Sequence, residues 1–148
     1  MQTSAKGIAF LERHEGVVLQ AYRDPVGIWT IGAGLTKASG VVTPVAGMVI
    51  TAKQATRLLE KALPKYERRT ATAMPGAAQH ALDGGVSFDY NTGAIHRASW
   101  VAAFRENKRQ AVRDGLALWR KGGGRVLPGL VRRRSEEAEL ILNANYGT

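Results

Sequence analysis

The sequence predicts an α+β fold, with a small β-containing lobe joined to a mostly helical one. Three observations carry this. Apolar residues with strand-like spacing and turn punctuation are confined to residues 17–35. Helical periodicity and helix-start signals fill most of the remainder. Pro64 and the Pro75-Gly76 pair interrupt the chain between the two kinds of segment, so a hinge is expected within 60–76.

Residues 4–15 read as the first helix. Ser4 or Thr3 can cap it, and Ile8, Phe10 and Leu11 form its apolar stripe. Gly16 is placed to end it, which leaves Glu15 in the last turn. Val17 to Tyr22 then lead into Asp24-Pro25-Val26-Gly27, whose order of residues fits a type I turn. Ile28 to Leu35 form a second strand, with Trp29 expected to face the lobe's core. Gly32 and Gly34 interrupt the side-chain rows, as glycines do where a backbone or ligand comes close. Residues 37–50 are read as a loop.

Thr51 followed by Gln54 is a capping-box signal for a helix carrying Ala55, Leu58, Leu59, Ala62 and Leu63. Pro64 should kink or end it. A linking helix is expected over 65–74, and further helices at 78–86, from Trp100, at 111–119 and at 130–144. Gly122-Gly123-Gly124 reads as a flexible loop. Trp100 and Trp119 fall on apolar helix faces and are expected in the core.

A chain of 148 residues that is 45% apolar suits one domain of two lobes, here about 15–60 and 1–14 with 61–148. With no cysteine, disulfide scaffolds, thiolate nucleophiles and cysteine-bound metals are excluded. His14, His80 and His96 share no metal-ligand spacing, and Gly32-x-Gly34 lacks the rest of a dinucleotide fingerprint, so neither metal nor cofactor is expected. No run reaches the ~20 apolar residues of a membrane span. The N-terminus lacks the basic and apolar regions of a secretory signal. A soluble, cytoplasmic, monomeric protein is therefore expected.

The net charge of +9 implies attraction to polyanions. Residues 105–134 hold ten basic residues against two acidic ones, and include Arg132-Arg133-Arg134. Three readings compete for this stretch: a solvated face, a surface for anionic wall polymer or outer-membrane lipid, and a nucleic-acid patch. No helix-turn-helix or zinc signature supports specific nucleic-acid binding.

Glu15, Asp24 and Thr30 form the candidate catalytic set. Cleaving a glycosidic bond needs an acid to protonate the leaving oxygen and a second carboxylate to assist water or attack the sugar. The end of a helix and a neighbouring carboxylate both favour the protonated form of an acid. A turn aspartate is open to solvent, and a threonine hydroxyl can both donate to and accept from a water. Singly, each residue has an ordinary structural explanation. Their combination with the flanking glycines is far more specific.

Glu15-Gly16, Tyr22, Asp24, Gly27 and Thr30-Ile31-Gly32-Ala33-Gly34 together resemble the signature of the phage-type lysozymes, endolysins that act as muramidases. Gly47-Met48-Val49-Ile50-Thr51, the segment from Phe88 to Ala94, and Trp119-Arg120-Lys121 with Leu127 to Arg134 extend the resemblance over most of the chain. It implies a lysozyme-like fold with a sugar-binding cleft between the lobes. It also implies Glu15 as general acid, with Asp24 and Thr30 positioning and activating a water. Phe88 and Asp89 would contact substrate, and Arg133 would reach the catalytic glutamate across the cleft. Leu35, Asp89 and Asn91 depart from the family's usual His, Asn and Gly.

The expected activity is hydrolysis of the β-1,4 bond between N-acetylmuramic acid and N-acetylglucosamine in the peptidoglycan glycan strand. The resemblance implies inversion, and the separation of the Glu15 and Asp24 carboxyls, roughly 6.5–9.5 Å for inversion or roughly 5–5.5 Å for retention, is the geometric test. A separate membrane-permeabilising factor would release the protein from the host cytoplasm to the wall. The alternatives are a lytic transglycosylase acting on the same bond, a non-catalytic basic module that binds wall or nucleic acid, and a structural relative that has lost activity, which the departures at Leu35 and Asp89 keep open.

Overall fold

A computed structural model describes residues 1–147. The elements run α1 (Ala5–Glu15), β1 (Val18–Arg23), β2 (Trp29–Gly32), α2 (Ala52–Ala62), α3 (Pro64–Ala73), α4 (Gln79–Thr92), α5 (Ser99–Arg105), α6 (Arg109–Ala117), β3 (Lys121–Gly122), β4 (Arg125–Val126) and α7 (Pro128–Asn143). The architecture is the expected mostly helical α+β class. The chain divides into two compact units, Ile8–Pro64 and Met1–Gly7 with Lys65–Thr148.

In the unit Ile8–Pro64, β1 and β2 form an antiparallel hairpin that pairs Tyr22 with Thr30 and Arg23 with Trp29. Its turn is the one the sequence signals: the Gly27 N–H donates to the Asp24 carbonyl at 2.9 Å. The 37–50 segment is more ordered than a plain loop. It contains a 3-10 turn (Lys37–Ser39) and then lies along β1, with Ala21 N–H donating to Met48 O at 2.9 Å and Ile50 N–H to Leu19 O at 2.8 Å. The predicted capping box starts α2, as Thr51 and Gln54 exchange side chain-to-backbone bonds of 2.8 and 3.1 Å. Phe10, Leu11, Ile31, Leu35, Ala55, Leu59 and Leu63 are buried. Trp29 differs from expectation: it is half-buried, with the Arg23 guanidinium 5.1 Å from its ring, because it pairs directly with Arg23 across the hairpin.

Pro64 ends α2 and stands at the first position of α3, where its missing N–H has no helical partner to lose. In the second unit, α4 is buried from Ala81 through Asp89 without a break. A helix buried on all faces must satisfy its polar side chains internally. Asp83 accepts the Ser4 N–H at 3.1 Å, the Ser4 hydroxyl at 2.5 Å, Gln79 Nε2 at 2.9 Å and the Tyr146 hydroxyl at 2.6 Å. Ser4 also caps α1 by accepting the Gly7 N–H at 3.0 Å. Phe88 packs against the edges of Trp100 and Trp119, with centroids 5.2 and 5.5 Å away.

Two expectations are corrected here. Gly122-Gly123-Gly124 is a tight hairpin joining β3 to β4, with Gly123 and Gly124 at φ +57° and +77°, the left-handed conformation such turns demand. The Arg132–Arg134 run is not a solvated face throughout. Arg132 is exposed, but Arg133 and Arg134 are buried around Glu137, which lies 3.3 Å from Arg133 Nε and 2.8 Å from Arg134 Nε. Ser87 donates to the same carboxyl at 2.5 Å. Burial pushes the Glu137 carboxyl above its ordinary range, against the opposite pull of Arg134, Arg133 and Ser87.

Candidate active site

Glu15 closes α1. Gly16, at φ +70°, turns the chain out of the helix while its N–H still bonds to Glu12 O at 2.9 Å. The Glu15 side chain is half-buried and lies along the turn that follows β2: a methyl placed on Gly34 would sit 3.5 Å from Glu15 Oε1. That turn is held shut by Ile31 and Leu35, which exchange both backbone hydrogen bonds at 2.9 Å. Leu35 is buried there. His14 is half-buried with its ring edge-on to Phe10 at 4.7 Å.

Asp24 begins the β1–β2 turn. Its Oδ1 accepts two backbone N–H groups, Val26 at 3.0 Å and Ile28 at 2.9 Å. Its own N–H donates to Ile28 O at 2.9 Å. One carboxylate oxygen is thus committed to the turn, and the residue as a whole is half-buried. Thr30 is a buried residue whose hydroxyl donates to Ile28 O at 3.0 Å. With its proton so placed, Thr30 offers lone pairs and would act toward a water as an acceptor. Glu15, Asp24 and Thr30 therefore belong to one unit, tied together by a hairpin and the turn at its end.

Phe88, Asp89 and Arg133 lie in the other unit. Phe88 and Asp89 are 0% exposed and so present no surface for a sugar to touch. Asp89 receives Arg69 Nε at 2.8 Å and Nη2 at 3.3 Å, and also the Ile95 N–H at 3.2 Å. Arg69 bonds in addition to Gly93 O at 3.1 Å. This hydrogen bonding to Asp89 is the main reason the Arg69 guanidinium holds its proton more tightly than usual. Arg133 is buried and donates to Ser87 O at 3.1 Å and Ser87 Oγ at 3.3 Å, besides pairing with Glu137. The sequence reading missed Arg69, Ser87 and Glu137. For Glu137 a signal existed, since it stands four residues beyond Arg133 and three beyond Arg134, the spacing of facing helix side chains. Among the described residues, no cluster of histidine and carboxylate side chains has a metal-binding arrangement.

The phage lysozyme family profile matches residues 12–137. The chain is 35% identical to the endolysin of Salmonella phage P22 over 141 residues, covering 93% of this chain and 97% of that one. The endolysin from Escherichia coli O157:H7 phage FAHEc1 superposes with a TM-score of 0.87 at 29% identity, over 100% of this chain and 98% of the other. The muramidase domain of SpmX from Asticaccaulis excentricus gives a TM-score of 0.83 at 26% identity, over 95% and 97%. The chain therefore belongs to the phage lysozyme family of peptidoglycan-degrading glycoside hydrolases.

Proposed function

We propose that this chain hydrolyses the β-1,4 bond between N-acetylmuramic acid and N-acetylglucosamine, with Glu15 as general acid and Asp24 and Thr30 directing the attacking water. The observation that carries this reading is the shared anchoring of Asp24 and Thr30 on Ile28, in the same hairpin whose terminal turn abuts the Glu15 carboxyl. One Asp24 oxygen is held by two backbone N–H groups, which fixes the carboxylate that would serve as base. The adjacent Thr30 hydroxyl gives its proton to Ile28 O and so meets a water as an acceptor, which suits it to orient a water that gives its other proton to Asp24. Glu15, half-buried at a helix end, is placed to give a proton to the leaving oxygen.

Attack by water predicts inversion at the anomeric carbon. Arg133, Phe88 and Asp89 support substrate binding from beneath the surface, by fixing the end of α4. The natural partner is the glycan strand, met by a monomer. No helix among the described residues is long and apolar enough to cross a membrane. We assign delivery from the producing cell's cytoplasm to a separate membrane-permeabilising factor.

The test is digestion of purified peptidoglycan by wild type, Glu15→Gln and Asp24→Asn. Wild type should release reducing ends, and the first-formed anomer, followed by NMR, should be α. Anhydro-sugar products would replace hydrolysis with transglycosylation. Undiminished digestion by Glu15→Gln would remove Glu15 from its role.

A further inference from the structure

A tongue of exposed apolar and basic side chains runs from the end of α6, through the β3–β4 hairpin, into the first turn of α7. Leu118 is 66% exposed, Val126 50%, Leu127 39% and Val131 46%. Arg120, Lys121, Arg125 and Arg132 are exposed among them. No acidic residue occurs from Gly115 to Ser135. A single exposed leucine is ordinary on a protein surface, but four apolar side chains interleaved with four cations are not.

The hairpin's register spreads both characters over both of its faces. Lys121 pairs with Val126 and Gly122 with Arg125, and the Leu127 N–H donates to Arg120 O at 3.0 Å. Cross-strand partners share a face, so one face carries Lys121 with Val126 and the other carries Arg120 and Arg125 with Leu127. The tongue is braced, because Leu127 lies over Gly122 so closely that a methyl there would meet Leu127 Cδ1 at 2.6 Å. Leu127 is therefore held against the hairpin.

We infer that this tongue is a docking surface for an anionic phospholipid bilayer. Headgroup phosphates attract the four cations, and the apolar side chains between them enter the boundary of the acyl region. A nucleic acid or soluble anionic polymer would engage the cations and leave the apolar side chains in water. The nearest aromatic ring is also unsuited to stacking a base, since Trp119 already carries Phe88 at 5.5 Å and the Arg97 guanidinium at 5.5 Å. None of the tongue's residues belongs to the proposed glycosidic site, so the two readings stand or fall separately.

Cosedimentation of the full chain with vesicles at physiological salt tests this without any glycan present. The protein should pellet with equimolar phosphatidylcholine and phosphatidylglycerol, and not with phosphatidylcholine alone. Lys121→Gln with Arg125→Gln should lower the partition coefficient about 25-fold, at about fivefold per cation. Leu118→Ser with Val126→Ser should lower it about tenfold or more while leaving binding to dextran sulfate unchanged. All four positions are exposed, and matching circular-dichroism melts would confirm that the variants fold. Failure of the wild type to pellet with the mixed vesicles overturns the inference. Wild-type vesicle binding by Leu118→Ser/Val126→Ser also overturns it, because the surface would then be a general polyanion patch.

Discussion

Asp24 and Thr30 grip the same residue from two sides: Asp24 Oδ1 accepts the Ile28 N–H at 2.9 Å, and the Thr30 hydroxyl donates to the Ile28 carbonyl at 3.0 Å. Their separation is consequently set by hairpin backbone and not by free side-chain rotation. A group pre-positioned in this way spends little entropy when it meets its reactant. It also lets the chemical and structural parts of each residue be separated by substitution.

Asparagine at position 24 keeps an oxygen able to accept the Val26 and Ile28 N–H bonds, so the turn should survive. It removes the charge that a base needs. Asp24→Asn should lower kcat on peptidoglycan by on the order of 10²–10⁴, with a stability loss of about 1 kcal/mol or less. Steady-state kinetics beside a urea melt would measure both. Near wild-type turnover would leave the carboxylate with a turn-forming role alone.

Thr30 can be divided in the same manner. Valine matches its shape but lacks the hydroxyl, whereas serine keeps the hydroxyl and drops the methyl. Thr30→Ser should retain most activity and Thr30→Val should lose about tenfold or more, through kcat and not KM, as expected for a group that orients a water. Equal losses in both variants would point to packing of this buried side chain.

Asp89 and Arg69 make an asymmetric pair, since the Asp89 side chain is 0% exposed and that of Arg69 is 38% exposed. Removing the arginine leaves a buried charge that loses both of its guanidinium bonds and keeps the Ile95 N–H. Removing the aspartate leaves a guanidinium that reaches water. Arg69→Met should therefore cost about 3–5 kcal/mol, and Asp89→Asn only about 1–2 kcal/mol. Denaturant titration of the two variants decides the order. The reverse order would mean that the end of α4 is held chiefly by something other than this pair.

What could be read along the chain was local. A capping box, a turn tetrad and a helix-ending glycine each act over three or four residues, so Thr51, Asp24 and Gly16 could be assigned before any tertiary contact was known. The same locality put Glu15 at a helix end and Thr30 on the following strand. Burial of polar groups was not legible, because the partner decides it and the partner is distant. Ser87 lies 46 residues from the Arg133 it receives, and Arg69 lies 20 residues from Asp89. Without those partners, Arg133 and Arg134 can be read as a solvated run, and Asp89 as the substrate contact that the resemblance implies. The β3–β4 strands are two residues each, too short for alternation to show, so the glycine run read as a loop.

The Tyr146 hydroxyl donates to Asp83 Oδ2 at 2.6 Å, and burial together with that bond raises its pKa above the ordinary tyrosine value. The folded chain thus keeps this proton to higher pH than the unfolded chain does. Between the unfolded value of about 10 and the raised folded value, the native state binds more protons, so this contribution falls as pH rises. It is fully present below the unfolded value and is lost on passing the folded one, where a phenolate would face the Asp83 carboxylate. Tyr146→Phe removes both the bond and the titration. It should cost about 1 kcal/mol at neutral pH, and the gap between wild type and variant should narrow as pH rises past about 10. Urea melts of both proteins across that range would show it. A gap independent of pH would mean that the hydrogen bond to Asp83 does not couple this proton to folding.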